Sequence, residues 1–178
     1  KLPAGHFLVV TKNSIEIKKY WDLKDVSPGK NISDEEIKEK FEFLLADSIK
    51  LRFRSDVPVG LNLSCGLDSN SIYFYSNVVN GSYPETFSMC LPSKEYDECE
   101  IINDYLSTEQ KKLWHPCVLN PDEVFPLAEK MNLIQDEPYG GIPTITYAKL
   151  NNKARECGIT VLLEGQGVLP PRLHVPQD

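Results

Sequence analysis

Val57-Pro58-Val59-Gly60-Leu61-Asn62-Leu63-Ser64-Cys65-Gly66-Leu67-Asp68-Ser69-Asn70 decides how the rest of this chain is read. The apolar run ending at Leu63 has the composition of a buried strand, and Ile72 to Val79 can continue as a helix. Between them lies a turn of small and hydroxyl-bearing residues. Backbone N–H groups at a helix start lack partners and carry partial positive charge, so a Gly-containing, Ser-rich turn at that point can wrap a phosphate.

Outward from this turn, the pattern alternates strands and helices. Ser33 with Glu36 forms a helix-start signature, and Ile37, Phe41, Leu44, Leu45 and Ile49 follow at helical spacing, predicting an amphipathic helix that packs and ends near Ser55. Gly81 and Pro84 close the helix after the turn, and Thr86 to Leu91 is a second strand. Tyr96 to Leu106 is helical with Cys99, Ile102, Tyr105 and Leu106 on its buried side, and Leu113 to Val118 is a third strand that Pro116 assigns to a sheet edge. Asn120-Pro121 opens a further helix in which Pro126 predicts a bend or shortening. Asp136 to Pro143 is a rigid loop, Thr144 to Cys157 a helix stopped by Gly158, and Ile159 to Leu163 a fourth strand that ends in Glu164-Gly165-Gln166-Gly167. This alternation predicts an α/β fold with a parallel sheet covered on both faces. Both Gly-bearing turns lie at strand carboxyl ends, and they face one pocket if the first and fourth strands are neighbours. At the N-terminus, residues 7–10 and 15–21 predict a hairpin, which needs a docking partner because a lone hairpin is marginal in water. Residues 25–32 have the composition of a linker.

The 178 residues carry 41% hydrophobic and 25% charged side chains, the composition of an ordinary globular protein. A formal net charge of -7 argues against a nucleic-acid surface. No apolar run is long enough to span a membrane and Lys1 to Gly5 is not a signal sequence, so a cytoplasmic location is expected. The five cysteines, Cys65, Cys90, Cys99, Cys117 and Cys157, are odd in number and contain no Cys-x-x-Cys pair, which predicts reduced thiols rather than disulfides or zinc ligands. Cys65 is set apart, because the turn would place its thiol beside a bound phosphate. His6, His115 and His174 are too scattered for a triad or a metal site, and Glu95, Asp97 and Glu98 read as a helix N-terminus.

Ser64-Cys65-Gly66-Leu67-Asp68-Ser69 resembles the pyrophosphate-binding Ser-Gly-Gly-x-Asp-Ser loop of the ATP pyrophosphatase superfamily. Arg52 to Gly60 upstream, Thr86-Phe87-Ser88, Glu95-Tyr96-Asp97-Glu98, Asp136-Glu137-Pro138 and Gly165-x-Gly167 come in the order found in glutamine-dependent asparagine synthetases. Leu2 to His6 and Tyr20 to Leu23 resemble the segment by which that family leaves its N-terminal glutaminase domain. The resemblance implies a three-layer fold like that of the adenine nucleotide alpha hydrolases, with strand order 3-2-1-4-5. It divides the chain into a hairpin and linker remnant of the glutaminase domain over 1–25, an ATP-binding synthetase domain over 33–167 and an irregular tail over 168–178.

The resemblance further implies an ATP-dependent ligase in which the carboxylate of aspartate or a related acid becomes an acyl-adenylate, with pyrophosphate released. Ammonia, drawn from glutamine, then displaces AMP to leave an amide. By position, Ser64, Cys65, Gly66 and Ser69 would cradle pyrophosphate, Asp68 would also hold Mg²⁺, and Leu63 and Met89 would touch the adenosine. Gly165 would complete the nucleotide site and Gln166 would act near the reacting carbonyl. The chain also departs from the pattern. Cys65 stands at the first Gly of the loop, and Leu169 stands where the family has a second metal-binding Asp. Residues 168–178 match nothing in the family, and the resemblance leaves the fifth strand, a catalytic Lys and the glutaminase domain outside the sequence. The expectation is a partial ATP site that forms no amide by itself. Two alternatives stay open: another adenylating ligase of the superfamily, or a nucleotide-binding or structural remnant whose open sheet edge invites a homodimer.

Overall fold

The computed structural model describes residues 1–26, 32–93, 95, 97–135 and 141–165. Two compact units divide the chain, residues 1–41 and 42–178.

In the first unit, strands β1 (His6–Val10) and β2 (Ile15–Lys19) form an antiparallel hairpin with His6 opposite Lys19 and Val10 opposite Ile15. Thr11 and Ser14 close its turn through a Thr11 N–H to Ser14 carbonyl bond of 2.9 Å and a hydroxyl pair at 2.8 Å. At its base the Gly5 carbonyl accepts N–H groups from Tyr20 and Trp21 at 2.8 and 3.2 Å, so β2 stops at Lys19, short of the predicted Trp21. Gly5 has φ of +67°, and a Cβ there would fall 2.1 Å from the Trp21 carbonyl oxygen, so no other residue fits. Phe7, Leu8, Val10, Ile15 and Ile17 are all exposed.

Helix α1 (Asp34–Arg52) starts as the sequence predicts. Ser33 N–H donates to Glu36 Oε2 at 2.9 Å, and Glu36 N–H returns to Ser33 Oγ at 3.3 Å. Of the predicted apolar stripe, Ile37, Phe41 and Leu44 are exposed and only Ile49 is buried. Helical spacing specifies which residues share a face, and burial then depends on what that face meets.

The second unit contains strands β3 (Val59–Asn62), β4 (Thr86–Cys90), β5 (Trp114–Val118) and β6 (Val161–Leu163), all parallel, in the spatial order β5-β4-β3-β6. This is the 3-2-1-4 portion of the expected order, with the first and fourth strands of the sheet adjacent. Helices α2 (Leu67–Asn80), α3 (Cys99–Tyr105), α4 (Thr108–Lys111), α5 (Val124–Gln135) and α6 (Ile142–Glu156) lie between or before the strands. Two apolar clusters make the core. Leu61 and Leu63 meet Tyr73 of α2 and Ile102 of α3 in one, while Phe87 and Cys117 meet Leu150 and Ala154 of α6 in the other. The sheet is thereby covered on both faces, as parallel sheets require.

A buried polar pin ties three strands together. Ser88 Oγ donates to the Leu63 carbonyl at 2.7 Å and accepts from Trp114 Nε1 at 2.9 Å, so the hydroxyl is satisfied inside the core. Pro116 sits on β5, at the sheet edge, where its missing N–H breaks no ladder bond. Pro126 lies in the first turn of α5, which begins at Val124 after a 3-10 turn over Pro121–Glu123, so its missing N–H costs no intrahelical bond and the α-helix starts later than Asn120-Pro121 predicts. Helix α4 was not anticipated, although Ser107 and Gln110 form a complete capping box at its start.

The expectation of five reduced thiols is corrected: Cys90 and Cys99 form a disulfide, and Cys65, Cys117 and Cys157 are free. The physical reason is a loop reversal that residue spacing does not reveal. Asp97 Oδ1 accepts the N–H groups of both Leu91 and Cys99, at 3.1 and 3.2 Å, and folds the start of α3 back onto the end of β4.

Leu61, fully buried on a central strand, anchors the first cluster. Leu61→Ala should cost about 3 kcal/mol of stability through lost transfer energy and the cavity left behind. Urea unfolding followed by circular dichroism checks this, with the midpoint falling and the slope unchanged.

Candidate functional site

Where β3 gives way to α2 the chain makes the turn on which the sequence reading rests. Gly66 is the residue preceding the helix, in extended conformation with φ of -70°, and no side chain caps the helix. The first helical bond runs from Asn70 N–H to the Gly66 carbonyl at 3.2 Å, so the amides before it have no partner within the helix. Asp68 and Ser69 therefore sit in the first turn rather than at the cap.

The turn is held by its own hydroxyls and one amide. Ser69 Oγ accepts from Ser64 N–H at 3.2 Å and lies 2.8 Å from Ser64 Oγ, which itself accepts from Gly66 N–H at 3.1 Å. Asn70 Nδ2 donates to the carbonyls of Ser64 and Gly66 at 2.8 and 2.9 Å. The Ser64 and Gly66 carbonyls are thus satisfied within the turn, as are the Ser64 and Gly66 N–H groups, and the N–H groups at the start of α2, ahead of Asn70, are the ones with no partner inside the helix.

On that side lies a cleft of about 600 Å³ at the carboxyl ends of the strands. It is of the size that takes a nucleotide-sized ligand. Leu63, Ser64, Gly66, Asp68, Ser69 and Met89 line it, and Gly165 closes it from the end of β6. A Cβ at Gly165 would lie 2.8 Å from both Asp68 Cβ and Ser69 N, so glycine alone lets the β6 turn seat against the start of α2. Eight of the nine residues expected at the site lie together around this turn. The ninth, Gln166, falls outside the described residues, as do Asp136, Glu137, Leu169 and the 168–178 tail.

Cys65 departs from expectation in one respect. Its thiol packs against the Leu61 cluster and donates to the Glu98 carbonyl at 3.5 Å rather than lining the cleft. Burial, then the charges of Glu98 and Asp97, push that thiol above its ordinary range, so it is a poor nucleophile. Neighbouring Tyr105 is pushed up to about 12, first by burial and then by Cys65, and stays protonated.

Glu98 was read as part of a helix N-terminus, and it does precede α3, but its carboxylate turns elsewhere. Oε2 accepts the Cys65 backbone N–H at 2.7 Å and lines the cleft. An anion thus already occupies one amide of the turn. Asn62 and Glu164 were also missed: Asn62 Nδ2 donates to Glu164 Oε1 at 2.7 Å, and both line the wall opposite Glu98 on the β6 side. Asn62 Oδ1 is buried without a hydrogen-bond partner. A polar residue at the end of an apolar strand was the available signal for Asn62, whereas Glu98 is found only by the fold.

Three carboxylates, Asp68, Glu98 and Glu164, line the cleft, with no Lys or Arg among the described lining residues. A polyphosphate entering here meets backbone amides and a helix dipole but no side-chain cation. Asp68 and Glu98 offer the hard oxygen donors that suit a divalent cation.

Comparison with known proteins agrees with this geometry. The asparagine synthase family matches residues 40–168. A putative glutamine-hydrolysing asparagine synthetase 2 of Methanocaldococcus jannaschii is 35% identical over 174 residues, covering 94% of this chain and 32% of the relative. The glutamine-hydrolysing asparagine synthetase 2 of Bacillus subtilis is 36% identical over 81 residues, 42% of this chain and 11% of the relative. A Penicillium rubens protein named amidase chyE is 39% identical over 71 residues, 38% of this chain and 11% of the relative. The chain thus spans 32% or less of the length of these relatives. The turn, the strand order and the match over residues 40–168 lead to one assignment: the chain belongs to the asparagine synthase family.

Proposed function

We propose that the cleft binds ATP together with Mg²⁺ and serves the carboxylate-activating half of an amide-forming ligase. The observation that carries this reading is the strand-turn-helix cradle, a helix start at the end of a buried strand, lining a cleft with carboxylates and without side-chain cations among the described residues. A cleft so charged repels a bare polyphosphate and accepts one whose charge a divalent ion offsets.

In this reading the Ser64, Cys65 and Gly66 N–H groups turn to the pyrophosphate portion from their partners Ser69 Oγ, Glu98 Oε2 and Ser64 Oγ, and the Ser64 and Ser69 hydroxyls so released reinforce them. Asp68 would hold Mg²⁺, which when bound draws charge off the departing pyrophosphate. Leu63 and Met89 give the apolar wall for adenosine. The unpaired Asn62 Oδ1 calls for an N–H or O–H donor, and the nucleotide carries both an amino group and ribose hydroxyls. Gly165 closes the far wall, and Gln166 keeps the role near the reacting carbonyl that the family resemblance implies.

The acid to be activated is aspartate or a close relative, a choice supported by the names of the synthetase relatives. A carboxylate oxygen attacks the α-phosphate and pyrophosphate leaves. Ammonia then displaces AMP, and the ammonia comes from glutamine in relatives described as glutamine-hydrolysing.

Glu98 has two functions in this scheme. Without nucleotide it occupies the Cys65 N–H, holding the turn in shape at 2.7 Å. When phosphate arrives it must yield that amide, because two anions cannot share one donor at hydrogen-bond distance.

Isothermal titration with ATP and Mg²⁺ tests the site. The chain should bind, EDTA should weaken binding, and Asp68→Ala should weaken it at least about tenfold, as for loss of a hydrogen-bonded charge; equal binding by both proteins removes Asp68 from the site. Glu98→Gln should tighten binding of ATP without Mg²⁺ about fivefold, the effect of removing one unit charge a few ångströms away in a solvated cleft. A weaker complex instead would make Glu98 a ligand rather than a competitor.

A further inference from the structure

Glu85, His115 and Cys157 form a line of three side chains at the amino end of the sheet, away from the nucleotide cleft. Glu85 precedes β4, His115 is the second residue of β5, and Cys157 follows α6. His115 Nε2 lies 2.5 Å from Glu85 Oε2, and His115 Nδ1 lies 3.7 Å from Cys157 Sγ. The imidazole stacks on Phe87 with ring centroids 4.9 Å apart and planes at 18°. The His115 and Glu85 side chains are 25% and 35% exposed, and Cys157 is half-buried, so solutes can reach all three.

This geometry fixes the tautomer. The carboxylate accepts from Nε2, so that nitrogen carries the proton and Nδ1 turns its lone pair to the thiol. Phe87 holds the plane of the ring, and Glu85 stabilises the imidazolium that forms when the thiol gives up its proton. Nucleophile, base and orienting acid are in the order that activates a cysteine.

We propose that Cys157 is a base-assisted reactive thiol that exchanges with small-molecule disulfides to form a mixed disulfide. Nδ1 takes the S–H proton as the Cys157 sulfur attacks one sulfur of the disulfide. A new S–S bond forms, the original one breaks, and the second sulfur leaves as a thiolate, which takes up the proton from the imidazolium. Cys157 is oxidised and half of the incoming disulfide is reduced, with no other reactant needed.

Neighbouring backbone narrows the chemistry to exchange. An acyl-transfer site needs free N–H donors beside the sulfur to hold an oxyanion. Here Cys157 N–H donates to the Lys153 and Ala154 carbonyls at 3.2 and 3.1 Å, and Gly158 N–H donates to Arg155 at 3.0 Å. Both are committed to the end of α6, whereas disulfide exchange develops its charge on sulfur and uses neither. The other free thiols are poorer candidates: Cys117 is buried and pushed up by that burial, and Cys65 is pushed up by burial and adjacent carboxylates.

The test is to incubate the folded chain with oxidised glutathione and follow mixed-disulfide formation by intact-mass spectrometry and peptide mapping. The first adduct should map to Cys157 and be absent from Cys157→Ser. Folding should accelerate the reaction rather than protect the thiol. Cys157 should react about tenfold faster in the native chain than in urea, less than a full general base supplies because a thiol is already partly ionised. His115→Asn and Glu85→Gln should each remove most of this acceleration while leaving the urea rate unchanged. First reaction at Cys65 or Cys117, a native rate no higher than the urea rate, or full acceleration in both variants would overturn the proposal. Should His115→Asn unfold, full acceleration in Glu85→Gln alone overturns it.

Discussion

The site depends on one junction, the close approach of the β6 turn to the first turn of α2. Gly165 sits where a Cβ would come within 2.8 Å of both Asp68 Cβ and Ser69 N, so two segments almost a hundred residues apart in sequence are held at backbone contact. Contact of that kind has no adjustable side chain in it, and it fixes the mouth of the cleft as firmly as the strands fix its floor. It exists because β3 and β6 are direct neighbours, with Leu61 opposite Leu163. The parallel sheet puts both strands' carboxyl ends on the same side. Strand order therefore comes first and the phosphate-shaped turn follows from it.

Within that frame the turn is organised by satisfying its carbonyls rather than by unusual backbone angles. Gly66 has an ordinary φ of -70°, and Asn70 and Ser69 together engage the Ser64 and Gly66 carbonyls. Those acceptors are thereby satisfied, and the first N–H groups of α2, which have no partner within the helix, are donors of the kind that suit an anion. The thiol of Cys65 enters the apolar cluster, so a side chain at this position does not fill the mouth. Glu98 then takes one exposed donor. A carboxylate there shows that this amide suits an anionic partner.

The sequence made the sheet legible because short apolar runs alternate with helical ones, two of them ending in Gly-bearing turns, and Pro116 identified the edge by chemistry alone. Ser64, Asp68 and Ser69 fall at the helix start and on the cleft where the turn's small, polar composition predicts them. Glu98 and the Cys90–Cys99 pair were not, since both arise from the Asp97-centred reversal that brings α3 onto β4. Nine residues separate the two cysteines, a spacing that a turn, a helix or a strand could equally produce. The exposed faces of α1 and the hairpin show the opposite case: periodicity was read correctly, but it specifies a face and not what the face meets.

In sequence His115 stands too far from the other histidines for a triad or a metal site, but the fold supplies it with two partners of other kinds. Glu85 and Cys157 stand thirty and forty-two residues away, yet they reach the two nitrogens of one ring. Parallel strands place residues that begin successive strands side by side, so Thr86 lies opposite Trp114 and Phe87 opposite His115. The helix returning before β6 then delivers its last residues to the same edge. A doubly covered parallel sheet thus has two ends at which distant residues converge. The carboxyl end gathers backbone amides and small residues, which suit phosphate. The amino end, where loops arrive from helix C-termini, gathers committed amides and exposed side chains, which suit side-chain chemistry such as that of an imidazole and a thiol.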